Sequence, residues 1–155
     1  MKADTRLFGP VDIEDSKILT LDNGIIGFPD LKHFTLIYDN DNNGKPSIIW
    51  FQSMDEPAFA MPVIEPQIVK QDYNPVVNDE LLSALGEFKD EEVLVLVTLK
   101  VPEDITKMTV NLKAPIIINT VNLRAAQIIV ENEDYQVRFP VYDILKKNVP
   151  DKEGK

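Results

Sequence analysis

His33 is the only histidine in the chain, and there is no cysteine. Those two facts restrict the chemistry available. A Ser-His-Asp triad would need His33, and none of Ser16, Ser47, Ser53 or Ser83 stands in a Gly-x-Ser-x-Gly elbow. A thiol nucleophile, a disulfide framework, a thiolate zinc site and a two-histidine zinc site within one chain are all excluded. Carboxylates are abundant, but they come as sequence neighbours: Asp55-Glu56, Asp90-Glu91-Glu92 and Glu103-Asp104. Acid-base work on a glycosidic bond needs two carboxyl groups opposed across a cleft, which adjacent turn residues do not supply. Gly24-x-x-Gly27 lacks the third glycine, the following helix and the lysine of a phosphate-binding loop. The nearest metal motif is Asp39-Asn40-Asp41-Asn42-Asn43-Gly44, which matches the opening of an EF-hand calcium loop, with Asp39, Asp41 and Asn43 as weak ligand candidates. The bidentate glutamate due at position twelve is replaced by Trp50, and the flanks read as strands. A hairpin loop is expected there rather than a calcium site. The expectation is a protein with no catalytic residues, no cofactor and no resident metal.

The elements that position these residues are mostly strands. Eleven prolines and only two helix-like segments point to an all-β or β-rich chain. Strands are expected at 5–8, 11–13, 17–21, 34–38, 47–52, 58–65, 93–99, 108–112, 116–118, 125–131 and 135–139. Pro62 pushes its strand towards an edge or a bulge. A helix at 78–85 is capped by Asn78 or Asp79 and stopped at Gly86, with Leu81, Leu82 and Leu85 on one face to lid the β structure. Residues 141–147 form a short terminal helix. Residues 1–147 read as one domain, and 148–155 as a charged, disordered tail.

With 26 acids against 16 bases the formal net charge is −10, which opposes contact with phosphate backbones and favours a basic partner. No apolar run approaches the roughly 18 residues that span a bilayer. A cytoplasmic protein, monomeric when free, is expected, with neither nucleic acid nor membrane as a direct partner. Binding would then fall to exposed apolar and acidic groups. Phe28 lies beside Pro29 in a glycine-bracketed loop, and Trp50, Phe51, Met54, Phe59 and Met61 cluster in one segment. In 48–54 large side chains alternate onto both faces, so that strand is either buried twice or awaits a partner. Asn111 and Asn119 sit in or at the ends of strands, where their side chains are expected to serve open backbone groups around Pro115.

Four segments together resemble the FliW family of flagellar assembly factors. They are Asn23-Gly24-Ile25-Ile26-Gly27-Phe28; Trp50-Phe51-Gln52-Ser53 with Pro57 and Phe59; Val101-Pro102-Glu103-Asp104 through Met108-Thr109, Asn111-Leu112 and Ala114-Pro115-Ile116 to Ile118-Asn119; and Ala126-Gln127-Ile128-Ile129 with Tyr135 and Arg138. Ile26 stands where that family usually has proline. The resemblance implies a small, partly open β-barrel-like fold and a non-enzymatic cytoplasmic role. It implies binding to flagellin before export, and binding to the RNA-binding translational regulator CsrA, antagonised at a distance from its RNA site. A flagellin chaperone with no CsrA role and a calcium-dependent β module stay open as alternatives. For CsrA the acidic residues Asp90, Glu91, Glu92, Glu103 and Asp104 are the expected contacts; for flagellin, Phe28, Met54 and Phe59.

Overall fold

The computed structural model describes residues 1–38 and 49–148. Among these residues there are eleven strands and two α-helices. The strands are β1 Lys2–Thr5, β2 Gly9–Asp12, β3 Leu19–Thr20, β4 His33–Tyr38, β5 Ile49–Ser53 and β6 Ala60–Ile64, then β7 Val93–Lys100, β8 Thr109–Val110, β9 Ile116–Asn119, β10 Ala125–Gln127 and β11 Phe139–Pro140. The helices are α1 Asp79–Ser83 and α2 Tyr142–Asn148. β1 and β2 form a separate two-stranded ribbon, and the other strands make a nine-stranded sheet whose main path runs β10-β9-β7-β6-β5-β4-β3. All its ladders are antiparallel. β7 is the branch point: Val93 to Leu96 pair with β9, and Leu99 and Lys100 pair with β8. The two ends of the path meet at a single parallel bridge, Thr20 with Arg124, so the sheet curls without closing into a barrel.

The alternation of side chains explains both faces of this curl. Along β7, Leu94 and Leu96 turn inward, while Val93, Val95 and Val97 turn outward. The inner face collects Leu21, Phe34, Phe51, Val63, Ile116 and Ile118, with the Phe34 and Phe51 rings stacked at 4.2 Å. Fully burying such side chains stabilises by about 2 kcal/mol each, so this inner layer is the main cohesive element. On the outside, Ile64, Val97, Val110, Tyr73 and Tyr135 form a second cluster, and Leu85, Ile117 and Ile128 a third.

The doubly apolar strand at β5 is buried on both sides. Ile49 and Phe51 face the inner core, Trp50 meets Phe8 edge-on at 6.3 Å, and Gln52 is fully buried. The Gln52 amide donates to the carbonyls of Ser53, Pro57 and Phe59 at 2.8, 3.0 and 3.1 Å, which ties down the β5–β6 turn. The β1–β2 ribbon is fastened over this region, with Arg6 Nε donating to the Ala58 carbonyl at 3.1 Å. The second face of β5 is therefore occupied by the chain itself. β6 runs between β5 and β7 rather than at a sheet edge as expected; proline is tolerated because Pro62 is paired on one side only, opposite Trp50 and one residue before the β6–β7 ladder begins at Val63.

Several sequence expectations shift. The first strand lies at Lys2–Thr5 rather than 5–8, and the second spans Gly9–Asp12 rather than 11–13, with Pro10 inside it. A ribbon of two strands has edges on both sides, and proline is tolerated there. Of the segment at 17–21 only Leu19–Thr20 is strand, and Lys17 closes the 3₁₀ turn Asp15–Lys17. The segments at 125–131 and 135–139 are strand only at Ala125–Gln127 and Phe139–Pro140. Leu112 N–H bonds to Gln136 and β11 pairs with β8, because the turn at Asn132 carries the chain across to that strand. Asn78 caps α1 through Glu80 N–H at 2.7 Å, but Leu81 is 48% exposed, and only Leu82 and Leu85 pack inward. The terminal helix appears at Tyr142–Asn148, while the tail beyond it and the calcium-like loop with Asp39, Asp41 and Asn43 lie outside the described residues.

Candidate interaction surface

The loop after β3 carries Phe28. Gly24 (φ +65°) and Gly27 (φ +90°) adopt left-handed backbone conformations that only glycine takes without strain. Ile25 and Phe28, the residues that follow each glycine, exchange backbone hydrogen bonds at 3.3 and 2.8 Å. This tight turn drops Ile25 into the inner core and pushes Ile26 and Phe28 outward, at 53% and 48% exposure. Gln127 pins it from the side: its Oε1 accepts Ile26 N–H at 2.8 Å, and its Nε2 donates to the Ala114 carbonyl at 3.1 Å. The Phe28 ring rests 4.8 Å from Phe59, which meets Phe34 edge-on at 6.4 Å. The expected pair Phe28 and Phe59 is thus brought together, with Phe59 half-buried.

Met54 does not join them at the surface. It is 6% exposed, and its N–H donates to the His33 carbonyl at 2.8 Å. β5 ends at Ser53, so strand alternation no longer decides where Met54 points. Ile26, Leu81 and Ile129 carry exposure that the sequence reading did not assign to a surface. For Ile129 a signal existed: it sits between Ile128 and Val130, and strand parity buries those two and turns Ile129 out.

The acidic groups fall into two separate places. Asp90, Glu91 and Glu92 form a 3₁₀ turn just before β7, and Glu103 and Asp104 follow its far end. Eight residues of strand hold the two groups roughly 26 Å apart, so they do not form one patch. Three of the five also have local work. Glu92 Oε1 accepts Lys89 N–H at 2.8 Å, and Asp104 Oδ1 accepts Thr106 N–H and Oγ1–H at 3.1 and 2.5 Å, capping the turn Ile105–Lys107. Asp90 begins the turn whose Val93 N–H bonds back to its carbonyl. Glu91 and Glu103 are exposed, with no ion pair among the described residues.

His33 opens β4 with its Nδ1 3.0 Å from Asp55 Oδ1. The other Asp55 oxygen accepts the N–H groups of Lys32 and His33 at 2.6 and 2.8 Å. Partial burial pushes the Asp55 carboxyl up, but the hydrogen bonds from the His33 ring and the two backbone N–H groups outweigh it and hold the pKa below the ordinary 3.8. A depressed carboxyl stabilises the fold above its unfolded value, and that contribution is lost as pH falls through the folded value, below about pH 4. Asp55→Asn is expected to cost about 1 kcal/mol at neutral pH. The difference from the parent chain should shrink to nothing in denaturation curves taken well below pH 4. No group of three or more His, Asp and Glu side chains converges as a metal site among the described residues.

What these residues assemble is a β-rich scaffold with an anchored apolar loop and separated acidic turns. Residues 2–141 match the family model described as FliW protein. The chain is 51% identical over 148 residues to the flagellar assembly factor FliW of Lachnospira eligens, covering 95% of this chain and 98% of that one. It is 46% identical over 150 residues to its counterpart from Lachnoclostridium phytofermentans, covering 97% and 96%. A crystal structure of the flagellar assembly factor FliW superimposes with a TM-score of 0.81 at 28% identity, covering 91% of this chain and 96% of that one. The chain therefore belongs to the FliW family of flagellar assembly factors.

Proposed function

We propose that the protein acts in the cytoplasm as a non-catalytic partner switch, binding flagellin and, when free of it, binding and antagonising a CsrA-type regulator. The match to flagellar assembly factors over nearly the whole chain carries this reading. The net charge of −10 supports it, because an acidic protein meets a basic RNA-binding partner faster. Antagonism away from the RNA site requires the complex to favour an RNA-incompetent form of that regulator by a coupling of roughly 1–3 kcal/mol. Calorimetry with flagellin and with the regulator tests the switch, and no binding to either at micromolar concentration would sink it. Flagellin binding with unchanged regulator–RNA affinity would leave only the chaperone reading. A calcium-induced rise in melting temperature or partner affinity would instead favour the calcium module.

The Phe28–Phe59 surface is the proposed flagellin contact, and the acidic turns the proposed regulator contact. Because Asp104 caps its own turn, Glu103→Lys is the cleaner probe of charge. It is expected to slow regulator association severalfold at low salt and to flatten its salt dependence. An on-rate unchanged in stopped-flow measurements removes that turn from the interface, and the same test at Glu91 judges the other end of β7.

A further inference from the structure

The β9–β10 ladder leaves one edge of the sheet partly unused. Asn119 N–H donates to the Arg124 carbonyl at 2.8 Å, Ile128 N–H to Pro115 at 3.0 Å, and Val130 N–H to Lys113 at 2.9 Å. Even-numbered residues along this segment thus turn their backbone groups towards β9 and the residues before it. Odd-numbered residues turn theirs the other way. On that other edge the chain covers itself at two points. Next to Ala125, Thr20 N–H bonds to the Leu123 carbonyl at 2.9 Å, and farther along Glu131 N–H bonds to the Val76 carbonyl at 2.8 Å. Between those points Gln127 and Ile129 meet no partner strand among the described residues.

A cleft of about 210 Å³ lies beside this gap. It is lined by Asp22 and Gly24 from the loop after β3, by Glu80 and Leu81 of α1, and by Ala126 and Gln127 of the strand. Arg124 also lines it, with its guanidinium 3.4 Å from the Ala84 carbonyl at the end of α1. Asp22 and Glu80 are exposed and have no ion pair among the described residues. Leu81 in this lining is an exposed apolar residue, and so are Ile129, which follows Ile128 of the lining, and Ile26, whose N–H bonds to Gln127. A row of unpaired N–H and C=O groups on a strand edge is a template on which a further strand can pair.

We propose that this gap receives a short extended segment of a partner protein. The segment pairs through its main chain with Gln127 and Ile129, sets apolar side chains against Ile129 and Leu81, and places a lysine or arginine between Asp22 and Glu80. This goes beyond the partner switch, because it assigns a mode of recognition independent of who the partner is.

The test titrates the isotope-labelled full chain with a synthetic eight-residue peptide of alternating lysine and valine, capped at both ends. The amide signals of Gln127 and Ile129 are expected to shift, and their hydrogen exchange to slow. N-methylation of every second peptide nitrogen should weaken binding at least tenfold, as should Ile129→Pro, which removes an N–H that the β9 ladder does not use. The double variant Asp22→Lys, Glu80→Lys should reverse the preference towards a glutamate–valine peptide. Equal binding of the N-methylated peptide, shifts confined to other surfaces, or no saturable binding up to roughly 1 mM overturns the proposal. Failure of calorimetry with flagellin and the regulator would leave this result untouched.

Discussion

Gly24→Ala is expected to destabilise the protein by about 3–4 kcal/mol and to displace the Phe28 loop. A β-carbon at Gly24 would lie 2.5 Å from the Phe28 carbonyl oxygen and 2.6 Å from the carbonyl carbon and oxygen of Pro29. All three are main-chain atoms, so no side chain can swing aside to make room. The left-handed φ of +65° adds a further penalty of about 1 kcal/mol for any residue with a β-carbon. Gly27→Ala supplies the control. Its φ of +90° is also unfavourable, but no heavy atom lies within 4 Å of the added carbon, so roughly 1 kcal/mol is expected. Urea denaturation of the two variants measures the difference. Equal losses would mean that the loop relaxes freely and that the close approach at Gly24 is unimportant. If the Phe28 surface meets flagellin, Gly24→Ala should also weaken that binding more than Gly27→Ala does.

Asn119→Ala is expected to cost about 3 kcal/mol and to lower the melting temperature by roughly 6–12 °C. Asn119 is fully buried at the end of β9. Its Nδ2 donates to the carbonyls of Leu85 and Glu87 at 2.9 and 3.2 Å, and its Oδ1 accepts Val121 N–H at 3.0 Å. Alanine would leave those main-chain groups short of partners in a site with little water. Asn122 Nδ2 also reaches the Leu85 carbonyl, at 2.9 Å, so Asn122→Ala should cost less, about 1 kcal/mol. Differential scanning calorimetry checks the order, and a larger loss at Asn122 would reverse the assignment.

Strand content was legible because apolar residues alternate or run together between proline and glycine breaks. β7 and β9 follow directly from that pattern. The structural role of the asparagines was legible too: Asn111 Oδ1 accepts Lys113 and Ala114 N–H at 3.0 and 3.1 Å, just before Pro115. What the pattern could not show is pairing between distant segments. Ile128 bonds to Pro115, Val130 to Lys113, and Leu112 to Gln136, across 13, 17 and 24 positions of sequence that leave no local periodicity. The same limit applies to the surface. Met54 is expected at a binding surface with Phe28 and Phe59, but it lies just past the end of β5 and is buried. The contact between Phe28 and Phe59, far apart in sequence, depends on how Gly24 and Gly27 bend the loop, which residue types alone suggest but do not determine.

Gln127 holds the loop tip to the start of β9, Ile25 anchors it in the core, and Phe28 leans on Phe59, which leans on Phe34. Its outward-facing side chains are already committed to one arrangement before anything touches them. A protein that docks there would meet a preorganised surface and give up little loop entropy on binding. Association should then appear as a single phase whose rate rises in proportion to partner concentration, with no slower concentration-independent phase. A partner could be captured in a single collision step rather than by folding the loop around it.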